Sequence, residues 1–241
     1  MPPKSKRRIF AALFLLLATA ETPSYSYVGI QGLALVGQHV DTSLDEHGVG
    51  AGALLEVHVG GPRFAVHLED IPVVGIPGVR PSVTYGQATP SLGIFNGDAE
   101  YAIDRAGTTW FGFGQTVYNQ RTPLPAIGQV VSSRLSGARY TLRYRRPLQN
   151  GRFIEAFVGN APYLGGADVY VLTNHAVAQL KPERASEVDS SLSYGFNTGH
   201  HTQWLIGLRS LDFSARFPVT GLPADRNVGI GPIIEWRDLL K

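Results

Sequence analysis

Side-chain character in this chain alternates with a period of two almost without break after residue 24. That is the repeat of an extended strand whose two faces meet different surroundings. Ten segments carry it: Tyr25–Gln38, Gly48–Val59, Arg63–Ile71, Leu92–Asp104, Thr108–Tyr118, Gly137–Arg146, Arg152–Asn160, Asp189–Asn197, Thr202–Phe213 and Asn227–Arg237. The connections alternate as well. Short ones fall at Gly60–Pro62, Arg105–Gly107, Pro147–Gly151 and Thr198–His201, and Asn150-Gly151 is a strong hairpin signal. Long ones fall at His39–His47, Pro72–Ser91, Asn119–Ser136, Ala161–Val188 and Ser214–Arg226. Antiparallel pairing of successive strands then puts every short turn at one end and every long loop at the other.

The faces of four segments sort cleanly. Phe95, Ala99, Tyr101 and Ile103 oppose Asn96, Asp98, Glu100 and Asp104. Ala138, Tyr140, Leu142 and Tyr144 oppose Arg139, Thr141, Arg143 and Arg145. Ile154, Ala156 and Val158 oppose Phe153, Glu155 and Phe157, and Ala51, Ala53, Leu55, Val57 and Val59 oppose Gly52, Leu54, Glu56 and His58. One face is apolar, and the other carries charges of both signs.

Residues 1–20 follow a different rule. A basic head (Lys4, Lys6, Arg7, Arg8) precedes an apolar run from Ile9 to Leu17 and the small residues Ala18-Thr19-Ala20. The run is too short for a transmembrane helix, which takes about 20 apolar residues. It reads as a cleaved export signal, leaving residues 21–241 as a single domain. Four of the 21 basic residues lie in this segment, so 17 remain against 19 acidic ones. The surplus of positive charge therefore gives no argument for nucleic acid as a partner. The absence of cysteine excludes thiolate metal sites and a Cys nucleophile.

Ten alternating segments, short turns at one end, long loops at the other and both termini at the short-turn end resemble the bacterial outer-membrane β-barrels. The resemblance is one of architecture and covers nearly all of the chain after the signal. It implies an all-β, up-and-down antiparallel transmembrane barrel of about ten strands, within a range of eight to twelve. It also implies the outer membrane of a diderm bacterium, with outer-membrane lipid and the barrel-assembly machinery as partners. Two features depart from the pattern. The chain ends Asp238-Leu239-Leu240-Lys241, which sets the last aromatic residue, Trp236, back from the terminus. The long loops also hold strand-like pieces, Ser82–Tyr85 and Asp168–Leu172, and Asn174 could cap a short helix over His175–Lys181.

Two sets of residues follow from the phase. A lumen charge network is expected from Glu56, His58, His67, Glu69, Asp98, Glu100, Arg139, Arg143, Arg145 and Glu155. Inside a narrow barrel such groups must pair to offset desolvation. An interface belt of aromatics is expected from Tyr27, Tyr101, Trp110, Tyr144, Trp204 and Trp236, all near the short-turn end. On the fifth segment, however, Trp110 shares its phase with Gly112 and Gly114, while Phe111 and Phe113 take the other. No catalytic residue, metal site or cofactor is assigned. The acidic stretch Asp41–His47 could activate water at the outer mouth only with further acids, for which Asp70, Asp168 and Asp212 are the candidates. His200-His201 reads as a solvated turn.

The expected function is a non-enzymatic outer-membrane barrel with a narrow or plugged lumen and long external loops for interaction or limited transport. Two alternatives stand beside it. One is a barrel enzyme acting on lipid or peptide at the outer mouth. The other is a soluble exported barrel holding a lipophilic ligand in a cavity lined by Leu55, Val57, Ile154 and Val158.

Overall fold

The computed structural model describes residues 26–40, 45–75, 91–124, 129–171, 177–216 and 225–240. These form twelve strands. They are β1 (Tyr27–Val40), β2 (Asp45–Gly60), β3 (Phe64–Val74), β4 (Ser91–Ala102), β5 (Thr109–Leu124), β6 (Gln129–Pro147), β7 (Arg152–Ala161), β8 (Gly165–Val171), β9 (Val177–Leu180), β10 (Arg184–Asn197), β11 (Thr202–Arg216) and β12 (Asp225–Leu239). Ten of them pair antiparallel in the order β5-β4-β3-β2-β1-β12-β11-β10-β7-β6, and a β5–β6 pairing closes the ring. Closure leaves no edge of the ring unpaired, which a wall of strands in lipid requires. The fold is an up-and-down antiparallel β-barrel of ten strands.

Each expected segment corresponds to one barrel strand. Most strands run further than the alternation suggested, whereas β4 ends at Ala102, two residues before the expected Asp104. β6, at 19 residues, starts eight residues before the expected Gly137. Its lower part, Tyr140–Pro147, pairs with β7, and its upper part, Val130–Ser136, pairs with β8. β8 and β9 form a hairpin that extends the wall above β7, so the strand-like piece at Asp168 adds height and leaves the ring at ten. The helix expected over His175–Lys181 is not formed where it can be followed, because Val177–Leu180 is β9. Its backbone groups are satisfied by pairing with β8 instead. The start of that helix and the piece Ser82–Tyr85 lie outside the described residues, as do residues 1–20, read above as an export signal.

The first long connection also differs from expectation. β1 continues to Val40 and β2 begins at Asp45, with Val40 opposite Asp45 and His39 opposite Glu46. Asp45, Glu46 and His47 of the acidic stretch are therefore strand, because the β1–β2 ladder keeps satisfying their backbone groups.

The apolar face points outward. Leu55 is 50% exposed on the exterior, and Leu142, Ile154, Val158, Leu192, Ile206 and Ile234 are exposed around the ring. This is opposite to the dry interior that a soluble ligand-binding barrel would need from Leu55, Ile154 and Val158. The interior changes character with height. Near the short turns it is charged; towards the long loops it is an apolar cluster that includes Leu33, Leu35, Ile71, Val73, Ile94, Leu135, Leu211 and Phe213.

Candidate functional site: the charged lumen

Inward phase delivers each charged side chain to the same space. Successive residues of a strand face opposite ways, so every second residue of each wall is committed to the interior whatever its chemistry. All ten side chains expected in the lumen face inward. Nine are buried, and Arg145 is partly exposed at the short-turn end.

Four guanidiniums organise the network. Arg143 on β6 reaches Tyr27 Oη on β1 (3.3 Å), Glu56 on β2 (3.3 Å), Glu100 on β4 (3.5 Å) and Glu155 on β7 (3.2 Å). Arg237 on β12 donates to both oxygens of Glu155 at 3.0 and 2.8 Å and pairs with Glu235 on its own strand. Arg209 on β11 donates through Nη2 to Glu69 on β3 (3.0 Å) and through Nε to Asp189 on β10 (3.0 Å). Arg139 on β6 lies 3.5 Å from Glu69 and 3.2 Å from Asp189. Arg209 to Glu69 and Arg143 to Tyr27 and Glu56 run from wall to wall, while Arg209 to Asp189 and Arg143 to Glu155 join neighbouring strands. Phe157 fills space between them, its ring 5.4 Å from the Arg139 guanidinium and 5.0 Å from that of Arg143.

The two buried histidines extend the network on the β2–β4 side. His67 Nε2 lies 2.9 Å from Glu56, and its Nδ1 faces Asp98 at 3.6 Å. His58 Nε2 lies 3.2 Å from Glu100. Glycines make the room. A Cβ on Gly159 would lie 2.3 Å from Arg139 Nη2, and one on Gly112 would lie 2.1 Å from Thr141 Oγ1. Both are closer than packed atoms approach.

Glu56, His67 and Glu69 each bring a ligand-type atom within 4.8 Å of the others. Arg143 already sits 3.3 Å from Glu56, and Arg209 and Arg139 sit 3.0 and 3.5 Å from Glu69. A divalent cation there would face three guanidiniums at contact range, so the donor set suits an ion-pair network and not a metal centre.

The expected aromatic belt needs two corrections. Tyr27 is fully buried: its hydroxyl bonds Glu56, its ring stacks on His58 at 5.4 Å, and the Arg237 guanidinium lies 4.0 Å above it. Trp110 is also buried. Its indole N–H donates to the Gly107 carbonyl (2.9 Å), and its edge meets His58. Both residues follow the phase of their strands, and strand phase overrides the interfacial preference of an aromatic ring. Tyr101, Tyr144 and Trp204 are exposed on the exterior near the short turns, with Trp236 half-buried and opposite Trp204.

Asp104 is also corrected. It leaves the lumen face for the turn after β4, where it accepts hydrogen bonds from the Thr108 hydroxyl and from the Thr108 and Thr109 amides. Those donors, the hydroxyl foremost, hold its carboxyl below the usual aspartate range. Of the acids considered for an outer-mouth site, Asp70 faces outward, and Asp212 is spent on Arg226. The side chains of Asp45, Glu46, His47 and Asp168 lie outside the described residues.

Sequence reasoning missed much of the network: Tyr27, Gln31, Glu187, Asp189, Arg209, Glu235 and Arg237 are all buried in the lumen. The signal was present. Asp189 and Glu187, and Glu235 and Arg237, are spaced by two, as are the charges on β4 and β6. What the spacing could not give was the cross-barrel partner of each.

No protein-family model and no curated protein matches the sequence. Among solved structures, the outer membrane protease OmpT from Escherichia coli superposes with a TM-score of 0.63 at 8% identity, over 93% of this chain and all of that one. The chain has the architecture of bacterial outer-membrane β-barrels. The toluene transporter TodX of Pseudomonas putida (TM-score 0.33, 9% identity, 93% of each chain) and the β domain of the Bordetella autotransporter BrkA (0.39, 12%, 90% of this chain and all of that one) are more distant. At these identities the likeness is one of fold.

Proposed function

We propose that the protein is an integral outer-membrane barrel with a closed lumen, a rigid non-conducting platform for the segments at its long-loop end. The observation that carries this reading is the set of wall-to-wall ion pairs. Arg209 ties β11 to β3 and Arg143 ties β6 to β1 and β2, across the space a solute would have to cross. The apolar cluster fills the lumen above them. The exterior apolar band, with Tyr101, Tyr144 and Trp204 at one border, suits contact with outer-membrane lipid. Loop-borne function on a rigid scaffold is the expected use of such a platform.

Planar-bilayer recording of the purified, full-length protein tests the closed lumen. The expected record is silent, and steady unitary conductance from the wild type would overturn the reading. Membrane residence is tested separately. The protein should fractionate with outer membranes and shift in gel mobility on heating. A folded monomer that stays dispersed without detergent would sink that part.

A further inference from the structure

The short-turn end of the barrel opens into a vestibule of about 590 Å³. This is within the range of small-molecule sites, about 300–1,000 Å³. Its charge is one-sided. Arg143 and Arg145 form the floor, Arg105, His200 and His201 stand at the rim, and Trp110 lines one wall. Among the described lining residues there is no carboxylate.

The nearby acids are turned away. Asp104, next to Arg105 in sequence, is occupied by Thr108 and Thr109 within its own turn. Glu155 lies behind the floor, 3.6 Å from Arg145 and 3.2 Å from Arg143, and Glu56 and Glu100 lie 3.3 and 3.5 Å from Arg143 on the lumen side. Arg143 is therefore largely neutralised from behind, and the vestibule draws its positive charge from Arg145 and the rim. The floor is also held in place. The Arg145 guanidinium lies 3.6 Å from the centre of the Phe153 ring and donates to Gln203 at 3.3 Å. Arg143 is fixed by its four partners. Planar guanidiniums anchored from behind, with further cationic or donor side chains at the rim, make a preorganised receptor for oxyanions. Low-dielectric walls lined by one sign of charge concentrate the field at the mouth.

We propose that this vestibule binds a compact soluble oxyanion, a molecule bearing carboxylate or phosphate groups, from the compartment facing the short turns. The vestibule shares Arg143 with the closed lumen but lies outside it and needs no conduction, so it stands or falls independently of the conductance result.

Isothermal calorimetry of the full-length protein in detergent micelles tests it, with pyrophosphate and citrate as probes and sucrose as a neutral control. Saturable binding of at least one anion is expected. Pyrophosphate alone would point to phosphate ligands and citrate alone to carboxylates, and either result supports the site. The triple variant Arg105→Ala, His200→Ala, His201→Ala changes only exposed turn side chains. It should bind about tenfold or more weakly while keeping the wild-type heat-dependent gel shift. Raising ionic strength should weaken wild-type binding, a check that does not depend on any variant. No saturable binding of either anion, affinity unchanged in the folded triple variant, affinity insensitive to salt, or equal binding of sucrose would each overturn the proposal.

Discussion

The two halves of the lumen are built from the same strands and held by different physics. On β3 the inward series runs His67, Glu69, then Ile71, Val73; on β4 it runs Asp98, Asn96, then Ile94, Leu92; on β11 it runs Arg209, then Leu211, Phe213. Each of these three strands switches from charged or polar to apolar at about the same height. The lower half relies on directional contacts, each needing a named partner on another wall. The upper half relies on filled volume, as in the stacked Tyr118 and Phe213 rings, 4.0 Å apart. Ion pairs removed from water are tolerable only when complete, whereas an apolar cluster degrades gradually.

The comparison can be broken most sharply at Arg209. Arg209→Ala leaves Glu69 and Asp189 without their shared guanidinium and should cost about 3–5 kcal/mol. Urea titration of the heat-modifiable band measures the loss, and a cost near that of an apolar truncation of one methyl would erase the distinction between the halves. Next comes the outside of the same wall. Leu142→Arg places on the lipid face the charge that Arg143 carries safely inside, at a cost that is about 2–4 kcal/mol at the midplane and smaller towards the border at Tyr144. Assembly yield in lipid vesicles should fall, and wild-type yield would contradict the assigned faces.

Smaller changes sharpen the contrast. Ile71→Val in the apolar half should cost only about 0.5–1.5 kcal/mol, with the barrel still folding fully. Equilibrium unfolding of this variant beside Arg209→Ala gives the ratio between graded and all-or-none behaviour. The smallest effect belongs to an ion pair outside the lumen. Arg226 and Asp212 are paired but substantially exposed, so Arg226→Ala should change stability by about 0–1 kcal/mol. A loss as large as that of Arg209→Ala would show that burial is not what gives the lumen pairs their weight.

Much of this was legible from period-two phase. Arg139, Arg143 and Glu155 were placed inside and Leu142 and Val158 outside by counting residues alone, because a pleated strand leaves no other option. The same count holds for Tyr27 and Trp110, and the expectation failed where residue type was allowed to outrank it. Trp110 shares its face with Gly112 and Gly114, and that phase, not the indole, decided its direction. The switch from charged or polar to apolar along the lumen faces of β3, β4 and β11 was also written in the sequence. Its meaning depended on all ten strands reaching the same level together.

Facing and the sites of the short turns were thus determined by the sequence, since local backbone geometry and turn chemistry act over a few residues. The strand count, open between eight and twelve, was settled by closure of β5 on β6. Tertiary structure alone decided that Arg209 meets Glu69, that Arg143 meets Tyr27, and that Arg143 and Arg145 close the floor of a basic vestibule. Such pairings depend on strand stagger and on closure of β5 against β6. The first two join residues 140 and 116 positions apart, beyond the reach of any local spacing.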